Sequence, residues 1–148
     1  MVYRLRYTLI ILLFLVNGYD LNSQITLNDF SIVVIGNNTG TKKMSETTIK
    51  QYFKGKYNKW PNKKRVIVAL ASSKHPKVEW YSNLLFNKSF FAVKKYWYSL
   101  VFQGRNDAPY FFASDQELIE FVKLNPGAIA IVEKSSKVPE HLKIKLNE

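Results

Sequence analysis

Directly after an apolar run, the stretch Ser72-Ser73-Lys74-His75-Pro76-Lys77 brings two hydroxyls, two ammonium groups and an imidazole to a point where a helix can start. Such donors at a helix N-terminus suit anion capture, because the first backbone N–H groups lack intrahelical acceptors and the helix dipole places partial positive charge there. Ser72, Ser73 and Lys74 are therefore candidate ligand-binding residues. The loop Asn37 to Lys43 offers Thr39, Gly40 and Thr41 ahead of another helix start, as a second candidate. Its plainer reading is a polar connection. Between Lys42 and Arg65, eight lysines and one arginine stand against a single acid, Glu46, with Tyr52, Tyr57 and Trp60 interleaved. That composition fits either a solvated lysine-rich face or a surface that docks an acidic partner.

Catalytic chemistry has few candidates. His75 and His141 are the only histidines and there is no cysteine. His75 abuts Pro76, His141 precedes an alternating segment, and neither falls at a metal-ligand spacing or forms a recognisable nucleophile and base pair. Asp107, Asp115 and Glu117 read as loop and capping groups rather than an acid/base couple. The sequence thus points to a binding protein, with no enzyme activity, metal or cofactor expected.

These side chains need elements to position them. A chain of 148 residues forms one domain that buries roughly 70% of its unfolded surface. Ser31 to Ile35 and Val66 to Leu70 are continuous, largely β-branched apolar runs that suit strands covered on both faces. Ser45 predicts a helix N-cap, with Glu46 in the first turn, Ile49, Tyr52 and Phe53 at helical spacing and Gly55 past the end. Ser72, Ser73 and Pro76 are expected to start a helix carrying Val78, Tyr81, Leu84 and Leu85. Ser89 caps the next one, which places Phe90, Val93, Trp97, Leu100 and Val101 on one stripe. Ser114 and Glu117 form a capping box before Leu118, Phe121 and Val122, and Asn125-Pro126-Gly127 ends that helix. Ala128 to Val132 reads as a third strand, and Leu142 to Leu146 alternates as an edge strand would. Phe53, Trp60, Trp97 and Phe121 are expected in the core. The order β, α, β, α, α, α, β, β indicates an α/β architecture with a partly parallel sheet.

At the N-terminus, Arg4 and Arg6 precede an apolar run from Tyr7 to Val16, too short to span a bilayer. A basic segment, an apolar core and small or neutral residues at Val16 and Gly18 predict a secretory signal over residues 1–18, with a mature domain over 19–148. A retained membrane anchor or a core helix is the alternative. Export without cysteines suits a bacterial periplasm, or secretion. The formal net charge is +11, and removal of Arg4 and Arg6 leaves 20 basic against 11 acidic residues, about +9. Such a balance implies anionic surroundings, and export argues against nucleic acid among them.

Taken in order, Phe53-Lys54-Gly55-Lys56 with Trp60, then Tyr96-Trp97 and Val101-Phe102, Ala113-Ser114-Asp115 and Asn125-Pro126-Gly127-Ala128-Ile129 resemble the phosphate-binding subunit of phosphate ABC transporters. The chain is most similar to small exported single-lobe proteins related to that subunit, and the resemblance covers roughly Ser31 to Val132. It implies one lobe of a type II periplasmic-binding-protein-like fold, with a mixed, mostly parallel sheet flanked by helices. Phosphate-binding members carry a loop of the type Arg-Ser-Asp-Gly-Ser-Gly-Thr after the strand equivalent to Val66 to Leu70. Here Ala71-Ser72-Ser73-Lys74-His75-Pro76-Lys77 stands in its place, keeping only Ser72. The arginine fork is gone, Lys74 and Pro76 replace glycines, and proline has no N–H to donate. The expectation is a solute-binding-like protein with at most weak binding of an oxyanion such as phosphate. The alternative is an envelope accessory protein that docks an acidic protein or surface through its lysines.

Overall fold

In the computed structural model, which describes Leu27 and residues 31–147, the apolar runs pair into one six-stranded mixed sheet with helices on both faces. The elements in order are β1 (Ile32–Gly36), β2 (Lys43–Met44), α1 (Glu46–Phe53), β3 (Ile67–Ala71), α2 (Val78–Phe86), α3 (Phe90–Phe102), β4 (Tyr110–Phe112), α4 (Asp115–Leu124), β5 (Ala128–Glu133), a 3₁₀ turn (Glu140–Leu142) and β6 (Lys143–Leu146). The sheet order is β2-β6-β1-β5-β3-β4. β1 is antiparallel to both of its neighbours, whereas β2/β6, β3/β4 and β3/β5 are parallel pairs, so β1 alone runs against the other strands. The signal segment expected over residues 1–18 lies outside the described residues.

Strand periodicity divides the core into two layers. Ile35, Ala69, Ala128, Ala130 and Val132 point to one face, where Leu118, Ile119 and Val122 of α4 cover them. Val34, Val68, Leu70, Ile129, Ile131 and Ile144 point to the other, under α1, α2 and α3. Phe53, Trp60 and Trp97 are buried, as their positions predict. Phe121 is half-buried instead, its ring stacked between those of Tyr110 and Phe112 at 4.8 Å.

Local signals set most element ends. Ser45, Ser89 and Ser114 accept from the N–H of Thr48, Ala92 and Glu117, respectively. The capping box differs in one detail: the Glu117 carboxylate takes the Ala113 N–H at 2.8 Å, one residue further back than expected. Gly55 adopts φ +64, the left-handed cap. Ser72 and Ser73 do not cap α2, which begins after Lys77 with no side-chain cap. β6 is not at the sheet edge, because the two-residue β2 pairs along its outer side; the alternation is real, with Ile144 buried and Lys145 exposed. β2 and β4 have no counterpart in the expected order. At two and three residues they are too short for a periodic signal.

The segment between α1 and β3 divides its aromatic residues. Trp60 is 2% exposed, lies 4.1 Å from the Tyr52 ring and donates from Nε1 to the Gly127 carbonyl at 2.8 Å. Gly127 takes φ +96, and a Cβ there would sit 2.3 Å from the Arg65 carbonyl oxygen, so glycine is required. Tyr57 alone of the three interleaved rings remains exposed.

Candidate functional site

The two loops singled out as anion-binding candidates lie at opposite ends of the sheet. Gly36 and Val68 both pair with Ile129, so the end of β1 lies beside the beginning of β3. Five residues of strand separate the levels of Asn37 and Ser72, about 16 Å. Thr39, Gly40 and Thr41 therefore share no site with Ser72, Ser73 and Lys74. The antiparallel setting of β1, which leaves no local trace in the sequence, is the reason.

Several polar groups of each loop are already engaged within the fold. The buried Thr39 hydroxyl donates to the Thr41 carbonyl at 2.6 Å, and the Thr41 hydroxyl donates to the Lys43 carbonyl. Gly40, with φ +75, packs on Asn62, whose side-chain amide donates to the Asn38 carbonyl. In the other loop, the Ser72 N–H goes to the Phe112 carbonyl at 2.7 Å and the Lys74 N–H to Ser72 Oγ. The His75 N–H goes to the Ser72 carbonyl, the Lys77 N–H to His75 Nδ1 and the Val78 N–H to the His75 carbonyl. Pro76 contributes no donor. The backbone donors of Ser72, Lys74, His75, Lys77 and Val78 are thus committed to acceptors of the loop or of Phe112.

Beside this loop stands a polar hub that sequence reasoning missed. Asp115, the first residue of α4, turns its carboxylate inward. Oδ1 accepts from His75 Nε2 at 3.1 Å and the Tyr81 hydroxyl at 3.0 Å, and Oδ2 accepts from the Glu133 N–H at 2.8 Å and the Ser136 hydroxyl at 2.9 Å. Burial, followed by the Asp115 charge and hydrogen bond, raises the Tyr81 pKa far above its ordinary value. His75 is 4% exposed, and with Nδ1 accepting from Lys77 its ring is the Nε2–H tautomer. Neither ring nitrogen faces outward, so the imidazole and carboxylate hold α2, α4 and β5 together rather than offering a base to a substrate. Lys77 pairs with Glu133 at the rim and lies 5.5 Å from the Trp80 ring. Asp115 reads from sequence as a capping residue because its partners are 18 to 40 positions away.

Two other regions carry open chemistry. A cleft of about 290 Å³ lies between the chain after α1, the start of β3 and the chain after α3, with Asn58, Arg65, Trp97, Arg105 and Asn106 in its walls. Arg65 is paired with Asp107 at 2.8 Å, both well exposed. Trp97 is buried, and its Nε1–H has no hydrogen-bond partner among the described residues. At the end of α1, Lys54 lies within the fields of Lys50, Lys56 and Lys88. Burial first, and then these three cations, lower its pKa. Glu46 pairs with Lys50 at 2.6 Å, whereas among the described residues no ion pair joins Lys54, Lys56 or Lys88 to a carboxylate.

Among the described residues no group of histidine, cysteine or acidic side chains is arranged to hold a metal, and no helix is long and apolar enough to cross a membrane. Compared with known proteins, the chain matches no protein-family model and no curated sequence.

Proposed function

We propose that this protein is an exported, periplasmic-binding-protein-like module without enzyme activity, whose affinity for small oxyanions is weak and which works mainly by docking an acidic partner through its lysines. The observation that carries this reading is the contrast at two helix ends. Between Ser72 and Val78 the backbone N–H groups of Ser72, Lys74, His75, Lys77 and Val78 already have acceptors, while among the described residues Lys54, Lys56 and Lys88 are like charges with no carboxylate paired to them. Like charges held together without a counter-charge gain from any partner that brings negative charge. Calorimetric titration with phosphate, sulfate and poly-glutamate separates the two ligand classes. Phosphate is expected to bind with a Kd of about 0.1 to 1 mM or weaker, to be screened by salt and to weaken further in Lys74→Glu. Poly-glutamate is expected to bind more tightly and to respond to charge reversal at Lys54 and Lys88. Micromolar, salt-resistant phosphate binding overturns this reading.

The cleft supports a second reading, because its walls bring Arg65 and Arg105 together beside Trp97, and among the described residues only Arg65 of the two is in an ion pair. Here a small carboxylate or oxyanion sits between Arg65 and Arg105. Quenching or shifting of tryptophan fluorescence by citrate or sulfate, abolished in Arg105→Ala, is the result this reading requires.

A further inference from the structure

The outward side of α3 is unusual for a surface helix. Val93, Trp97 and Leu100 face the core, yet Phe91 is 71%, Tyr98 53% and Phe102 91% exposed. Positions 91, 95, 98 and 102 are spaced by four, three and four residues, so these rings and Lys95 form one stripe along the helix. The flanking lysines are not scattered. Lys94 Nζ lies 5.8 Å from the centroids of Phe90 and Tyr98, and Lys95 Nζ lies 5.8 Å from that of Phe91. Within α3 there is no acidic residue; Lys88 precedes it and Arg105 follows it. The nearest acid in the hydrogen-bond pattern, Glu79, is engaged with the Phe90 N–H at the helix start.

We propose that this face of α3 seats in the headgroup region of an anionic lipid bilayer. The rings extend outward from one face of the helix, and large exposed apolar groups of this kind mark an interaction surface. Rings at the acyl boundary with lysines snorkelling above them is how a basic amphipathic helix lies on a membrane. Lysines rather than arginines also suit a diffuse anionic surface better than the bidentate grip on a partner's carboxylates. A second copy of this chain is a poor occupant, since it would press Lys94 and Lys95 against their equivalents on another strongly basic molecule. This surface goes beyond the lysine cluster at the end of α1 and is tested apart from it.

Because the chain has no cysteine, single cysteines introduced by Ser99→Cys, at the rim of the stripe, and by Glu120→Cys, on the opposite layer in α4, report orientation. Each full-length variant carries an environment-sensitive fluorophore and is mixed with phosphatidylcholine vesicles with or without phosphatidylglycerol. The expected result is a blue shift and protection from an aqueous quencher at position 99 only, only with phosphatidylglycerol, and reversed by salt. Phe91→Ser with Phe102→Ser, or Lys94→Glu with Lys95→Glu, should weaken vesicle binding by about tenfold or more, with unchanged thermal melting showing that the fold is intact. Equal responses at both positions would assign the binding to another segment, such as the apolar run at residues 7–16, and overturn the proposal. So would no response, vesicle binding indifferent to the α3 variants, or a blue shift at position 99 produced by poly-glutamate and not by vesicles. The last outcome would leave the acidic-partner reading standing, whereas loss of poly-glutamate binding with vesicle binding retained would remove that reading alone.

Discussion

Asp115 and Lys54 are both partly buried charges at a helix end, but their surroundings differ in kind. Asp115 opens α4 and receives donors from α2, β5, the loop after β3 and the loop after β5. Lys54 closes α1, where the helix dipole favours a cation, and meets three further lysines. In the first region the fold supplies every complement to the charge, so the charge serves stability. In the second the fold leaves like charges together, and the complement has to come from outside. Polar residues at the Asp115 hub, including the predicted anion loop, are spent on architecture. Unspent charge lies at the end of α1.

Removing the carboxylate is the harshest way to break this comparison. Asp115→Ala strands four donors, two of them on the buried His75 and Tyr81, and is expected to cost about 3 to 5 kcal/mol. Denaturant unfolding measures it, and an unchanged midpoint would show that the hub is not structural. Trp60→Phe keeps most of the ring but removes one of the two hydrogen bonds to the Gly127 carbonyl, which still accepts from the Ile67 N–H, for an expected loss of about 1 kcal/mol. That figure calibrates a single buried hydrogen bond against the whole hub.

On the lysine side the effects should move from stability to binding. The double variant Lys54→Glu with Lys88→Glu is expected to weaken poly-glutamate binding by about tenfold, roughly 1.4 kcal/mol, while melting at its usual temperature. Lys54→Gln sharpens the contrast with the smallest change, an increase in stability within about 0.5 kcal/mol. The sign follows from linkage. Burial and then the neighbouring lysines hold the folded pKa of Lys54 below its ordinary 10.5, so the unfolded chain binds the proton more tightly and the cost is fully present at neutral pH. The advantage of Lys54→Gln should shrink as pH rises through the folded pKa toward the unfolded one, and stability curves of the two proteins should converge there.

Much of the fold was legible without coordinates. Serine caps, glycines past helix ends and apolar runs such as Ala128 to Val132 act over a few residues, so they marked three of the four helix starts and the three long strands. The candidate site was less legible. Thr39 and Ser73 looked alike as loop hydroxyls near helix starts, and nothing nearby in sequence separates them by a sheet's length. The outward rings of α3 were present in the sequence, but Phe91 carried no signal there and Phe102 entered only through the resemblance of Val101-Phe102.

Local chemistry is what the sequence by itself determined: where three of the four helices begin, which strands are covered on both faces, that Gly55 can take the left-handed cap of α1, and that the chain carries a large positive charge. Tertiary structure alone decided the rest, because it depends on which distant segments meet. It set β1 against the other strands, parted the two hydroxyl loops, brought Lys88 to Lys54, and joined Asp115 to a histidine 40 positions earlier. A capping preference is settled within one turn of backbone, whereas a charge is neutralised or left open only by what the folded chain places beside it.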